Sequence, residues 1–145
     1  MGVTISDAAR RHIAAFETET GVSPRDCVVD DERDQVVFVV APGEMAGAIG
    51  SGGEQVRAVE ESLGQSVRLV EDADRAEEFV ANALAPAAVY SVTVEEGADG
   101  ATVARAEVDE ADLGVAIGAD GRTIETARLL VERHFDIADV ELVER

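Results

Sequence analysis

The chain contains no lysine and no tryptophan, and it has one cysteine and one tyrosine. With a single thiol, Cys27, an intramolecular disulfide framework and a cysteine-rich metal site are both excluded. In a strand, such a cysteine is expected as a small buried hydrophobe. No apolar run reaches the roughly eighteen residues that a membrane helix needs. Nor does a basic segment followed by an apolar stretch open the chain, so a soluble cytoplasmic protein without membrane partners is expected. Aromatic residues are scarce, with 4 Phe among 145 residues, so the core must be built from Val and Ala. Small domains with lean cores commonly need to pack against something, including each other.

Catalytic groupings are missing as well. His12 and His134 fall in helical stretches, with no cysteine or paired carboxylates at ligand spacing around them. There is no Walker loop and no dinucleotide fingerprint. The runs "DDERD" and "DEAD" read as solvated loop and helix-start charge. The expectation is a non-enzyme with no cofactor, no metal and no small-molecule substrate.

What is abundant is acid. Asp and Glu number 31 against 12 basic residues, all Arg, giving a net charge of −19. The acid is spread along the chain rather than gathered in a tail. At ordinary ionic strength such a surface repels itself, whereas in molar salt the screening length falls to about 3 Å. The total lack of Lys favours a halophile with a salty cytoplasm over an acidic mesophilic protein. Net charge therefore says little about partners.

The sequence repeats one order of elements. Ser6 can cap a helix with Ala9, Ile13 and Phe16 on its apolar face, stopping at Gly21. Cys27–Val29 and Gln35–Val40 read as a hairpin, "EMAGAIG" as a short helix, Glu54–Leu63 as a second helix ended by Gly64, and Ser66–Val70 as a strand. The order then restarts. A helix carries Ala76, Phe79, Val80, Ala83 and Leu84, and a strand alternates Tyr90, Val92 and Val94. Ala101–Val108 returns, Asp109–Ile117 forms a short helix, Arg122–Phe135 a longer one with Ile124, Ala127 and Val131 inward, and Val140–Val143 closes. Both halves read α-β-β-α-α-β, which predicts an α+β protein of two domains, residues 1–72 and 73–145. "AIGSGGEQVRAVEESL" (Ala48–Leu63) aligns without a gap against "AIGADGRTIETARLLV" (Ala116–Val131).

Four G-x-x-G spacings occur, and their settings separate them. Gly97–Gly100 lies between alternating strands and reads as a hairpin turn. Gly47–Gly50 lies within a short helix, where close packing of small residues would explain it. Gly50–Gly53 and Gly118–Gly121 each follow Ala-Ile, join a short helix to a longer one, and precede an apolar residue three positions on. Such glycines either let two helices turn sharply or let a polymer backbone approach without Cβ obstruction, against a helix N-terminus suited to an anion.

In this setting the sequence resembles the KH domain, with its Ile-Gly-x-x-Gly-x-x-Ile signature between helices, and the element order resembles the type II form. The tandem is similar to the archaeal NusA-like transcription factors. The resemblance implies two tandem type II KH domains, each a three-stranded sheet backed by helices, that clamp about four nucleotides of single-stranded RNA per loop. It implies a role in transcription elongation or termination, with RNA polymerase or ribosomal components as further partners. The polymerase-binding and S1 domains of bacterial relatives do not occur in these residues, so polymerase contact is not carried over from them. The RNA-binding residues it implies are Ile49, Gly50, Ser51, Gly52 and Gly53 in the first copy, and Ile117, Gly118, Ala119, Asp120 and Gly121 in the second. Arg57, Arg122 and Arg128 are added as phosphate candidates.

The loops depart from relatives that carry Lys or Arg between the glycines, since here the pairs are Ser51-Gly52 and Ala119-Asp120. Asp120 is unfavourable near a phosphate, although counterion release contributes little in molar salt. Arg122 starts a helix, where the dipole disfavours a cation; a phosphate partner or a surface ion pair would account for it. Arg128 has Glu125 and Glu132 at ion-pair spacing. Two functions stay open: an RNA-binding module, and a KH-fold interaction scaffold with little RNA affinity.

Overall fold

The computed structural model describes residues 3–145, which divide into two compact units, one ending at Asp72 and the other running from Ala73 to Arg145. Each unit is α+β and follows the order α-β-β-α-α-β around a three-stranded sheet.

In the first unit, α1 (Asp7–Thr20) starts where the Ser6 hydroxyl accepts the Ala9 N–H at 3.1 Å, a cap worth about 1 kcal/mol. It stops at Gly21, whose φ of 71° lets its N–H turn back to the Glu17 carbonyl. The strands β1 (Asp26–Asp30) and β2 (Gln35–Val40) pair antiparallel, and the Arg33 guanidinium donates to both Asp30 oxygens at 2.9 Å across their turn. Parallel pairing of β3 (Ser66–Glu71) with β2 requires a crossover. That crossover is α2 (Met45–Ile49) and α3 (Glu54–Leu63). Alternate β2 residues Val36, Phe38 and Val40 meet Ala9, Phe16, Ala48 and Val59 in the core. The Phe16 and Phe38 rings lie 4.3 Å apart, a contact worth about 0.5–1.5 kcal/mol beyond burial. Cys27 is buried in this cluster, as a small hydrophobe should be.

The second unit repeats the plan with α4 (Ala76–Ala83), β4 (Val89–Glu96), β5 (Thr102–Val108), α5 (Leu113–Ile117), α6 (Arg122–Phe135) and β6 (Asp139–Glu144). Again the hairpin is antiparallel and the last strand parallel to the middle one. Helix α6 buries Ile124, Thr126, Ala127, Leu130 and Val131, and α4 buries Phe79, Val80 and Ala83. Phe79 stacks obliquely with Phe135 at 5.2 Å and with the His134 ring at 5.3 Å.

Three expectations are corrected. Tyr90 does not share the inward face of Val92 and Val94: a bulge between Val89 and Ser91 places Val89 on the core beside Val108 and Ala116, and leaves Tyr90 49% exposed. The helix expected over Asp109–Ile117 is a tight 3₁₀ turn, Glu110–Asp112, followed by α5, because Asp109 caps the turn by accepting the Ala111 N–H at 2.8 Å. Gly47 is not demanded by packing, since a Cβ there would meet Val22 at an ordinary 3.5 Å.

Candidate nucleic-acid interface

The α2–α3 and α5–α6 loops have the same backbone. Gly50 and Gly118 adopt φ/ψ of 78°/174° and 80°/170°, a region that is essentially glycine-only. Their N–H groups close the short helices onto Ala46 and Gly114, each at 2.9 Å. At the third position, Gly52 (62°, 22°) and Asp120 (56°, 28°) are both left-handed. Gly53 and Gly121 are left-handed too, at φ 79° and 75°.

These angles account for the residues. A Cβ on Gly50 would stand 2.4 Å from Gln55 Cγ and 2.9 Å from its backbone N; on Gly118 it would stand 2.4 Å from Thr123 Oγ1 and 2.7 Å from its N. The first glycine is therefore imposed by the chain's own turn onto the next helix. Asp at position 120 follows from the left-handed backbone, which among non-glycine residues favours Asn and Asp. That signal was present in the alignment, which sets Gly52 against Asp120.

Around this frame the expected site residues fall into two groups. Ile49 and Ile117, 36% and 40% exposed, stand immediately before the first glycines, where burial would have been the cheaper choice for an apolar side chain. Ser51, Gly52, Ala119 and Asp120 are exposed on the loops, and Arg57 and Arg122 are exposed on the helices that follow. The Arg57 guanidinium lies back over its loop: a Cβ on Gly53 would be 3.2 Å from Arg57 Nη1. Arg128 does not join them. It pairs with Glu125 and, through Nε, with Asp139 at 2.8 Å and the Val140 carbonyl at 3.2 Å, which ties α6 to β6. The Gly97–Gly100 copy links β4 to β5, with the Gly97 N–H donating to the Ala101 carbonyl at 2.7 Å, and is a hairpin turn.

Comparison with known proteins places this geometry. Residues 76–145 match the model of the NusA-like second KH domain, and residues 9–97 match the KH domain. A probable transcription termination protein NusA of Halococcus morrhuae is 63% identical over 98% of this chain and 99% of its own length. The chain belongs to the NusA-like KH-domain family. Another family member so named, from Halobacterium salinarum, is 60% identical over the same shares. One from Methanocaldococcus jannaschii is 33% identical over 90% of this chain and 70% of its own. The crystal structure of APE1850 superposes with a TM-score of 0.85 at 32% identity, covering 96% of this chain and all of that one. The lysine-free, acid-rich composition is that of a halophilic archaeal member of the family. Among the described residues no helix is long and apolar enough to cross a membrane.

Sequence reasoning missed one cluster. The Tyr90 hydroxyl donates to Asp109 Oδ2 at 2.6 Å, and the Arg145 guanidinium lies 4.2 Å from the Tyr90 ring centroid. The hydrogen bond to the carboxylate raises the phenol pKa and lowers that of Asp109. Asp109 also caps the turn that leads into α5, so the cluster holds the approach to the second loop. No periodicity signals it, because the bulge sets Tyr90 facing outward.

Proposed function

We propose that this protein binds single-stranded RNA through its two G-x-x-G loops and acts in transcription termination or elongation. The observation that carries the reading is the closely matched backbone of the two loops, each preceded by a solvent-exposed isoleucine and followed by a helix of ten or fourteen residues. The glycines let an RNA backbone approach the loop, while the first N–H of the next helix, that of Glu54 or Arg122, donates to the loop's own Ser51 or Ala119 carbonyl. Ile49 and Ile117 offer apolar surface to bases, and Ser51, Gly52, Ala119 and Asp120 flank the backbone path. None of these contacts needs lysine, which suits binding in concentrated salt, where counterion release gives little affinity. RNA polymerase is a further partner in keeping with the transcription termination in the relatives' names.

The test is single-stranded RNA binding in multimolar KCl by the parent and by Ser51→Asp, Gly52→Asp and Ala119→Asp. Each acidic substitution is expected to weaken binding several-fold. A parent that binds no RNA across varied sequences would instead leave the scaffold reading, which the exposed Asp120 carboxylate favours. Binding indifferent to all three substitutions would mean that the RNA lies elsewhere.

A further inference from the structure

The helices behind the two loops carry opposite charges at matched steps. On α3 the residues one, four and seven steps past the second glycine are Glu54, Arg57 and Glu60; on α6 they are Arg122, Glu125 and Arg128. Every sign is inverted, yet one task is kept. Glu60 accepts the Val67 N–H at 3.0 Å and so fastens α3 to β3, while Arg128 donates to the Val140 carbonyl and fastens α6 to β6. Glu125 is occupied by Arg128.

This leaves one guanidinium without an ion pair beside each loop, at a different step. Among the described residues Arg57 and Arg122 make no ion pair within 4 Å, although acids outnumber the arginines heavily; nor do Arg10 and Arg11 on α1. Arg57 reaches back over Gly53 from one turn down its helix, whereas Arg122 stands at the first helical position, directly after Gly121. A cation there opposes the helix dipole and is relieved by an anion at the same end.

We infer that the phosphate-binding cation of each loop is supplied by the helix behind it, as Arg57 in the first repeat and Arg122 in the second. This rests on the RNA-binding reading above. It also explains how the loops can dispense with a basic residue between their glycines: the left-handed third position is left to Gly or Asp, and the charge is supplied from the helix. Guanidinium suits the task, since it can hold phosphate oxygens in a bidentate fork.

The experiment measures affinity for a fluorescein-labelled single-stranded RNA of mixed sequence across a KCl series. The proteins are the parent, Arg57→Gln, Arg122→Gln and, as an equal change of charge on an exposed arginine at the start of α4, Arg75→Gln. Each loop variant is expected to bind about three- to five-fold more weakly. Each should also flatten the slope of log K against log salt by about 0.7, the value for one phosphate on a single strand. Arg75→Gln should match the parent. The doubly substituted Glu54→Arg, Arg57→Glu protein, which reproduces the second repeat's pattern at unchanged net charge, should bind within about two-fold of the parent, whereas Arg57→Glu alone should not. The melting temperature of Arg122→Gln should equal or exceed the parent's, while a structural role for that arginine would lower it. If the parent binds RNA and both loop variants keep its slope, the helix-borne cations are refuted and the loop reading stands. If the parent binds no RNA, both fall.

Discussion

The two loops share a backbone to within a few degrees, yet they are built from different side chains. In the first, Gly52 takes the left-handed third position and Gln55 closes over Gly50; in the second, Asp120 and Thr123 do so. The approach differs too. A turn at Ala41–Glu44, with the Glu44 N–H donating to the Ala41 carbonyl at 3.0 Å, leads to α2, whereas Asp109, held by Tyr90, leads to α5. What is common to both is the set of backbone angles, and the side chains that satisfy them are interchangeable within narrow limits. Charge is the least constrained property: three matched helix positions have opposite signs, and the tie between helix and last strand survives because a carboxylate can accept from a strand N–H as readily as a guanidinium can donate to a strand carbonyl.

The largest effect is expected where the backbone leaves no freedom. Gly118→Ala should destabilise the protein by about 2–4 kcal/mol, combining a glycine-only conformation with a collision against the Thr123 backbone. Gly50→Ala should cost less, because the nearest atom there belongs to the flexible Gln55 side chain and the backbone N is farther, at 2.9 Å. Denaturant midpoints in concentrated KCl measure both, and the reverse order would mean that the loops are not equivalent in the way their angles indicate.

Next in size is the tie between helix and strand. Arg128→Met should lower stability by about 1–2 kcal/mol, since it breaks an ion pair and a carbonyl hydrogen bond that are partly exposed. RNA affinity should not follow, which separates Arg128 from Arg57 and Arg122.

Exchanging the third positions tests whether Asp120 is there for conformation alone. Asp120→Gly should leave stability within about 0.5 kcal/mol, because Gly tolerates the same φ, and should tighten RNA binding a few-fold by removing a carboxylate from the phosphate path. Tighter binding by Gly52→Asp would overturn that account.

The smallest effect concerns the approach to the second loop. Tyr90 is the sole tyrosine and there is no tryptophan, so an ultraviolet titration reads its phenol directly. Its raised pKa means that the Tyr90–Asp109 bond contributes stability fully below the ordinary tyrosine pKa, and that this contribution is lost as pH rises through the folded value. For Asp109 the sign is opposite: its pKa is lowered, so its contribution is present above the ordinary aspartate value and lost as pH falls through the folded one. Asp109→Asn should bring the Tyr90 titration down toward its ordinary midpoint, and an unmoved titration would show that the contact does not persist in solution.

Much of this was legible in the residues. Helix α3 and helix α6 have the bounds that Gly53, Gly64, Gly121 and the apolar spacing mark out, because caps and periodicity are local properties. The loops were legible because two copies of one motif could be aligned. Tyr90 was misplaced because a bulge shifts strand register without changing composition. The Arg128–Glu125 pair was legible from helix spacing, whereas the tie to Asp139 was not, because Asp139 is eleven residues away and is positioned only once β6 has paired with β5.

By itself, then, the sequence determined the element order, the repeat, the two loops and the acid-rich surface, all of which follow from short-range patterns and composition. Only the tertiary structure decided which arginines are engaged and which are free. An ion pair such as Arg128–Asp139 depends on where two side chains end up after the sheet has formed, and spacing along the chain records only local pairs such as Arg128–Glu125.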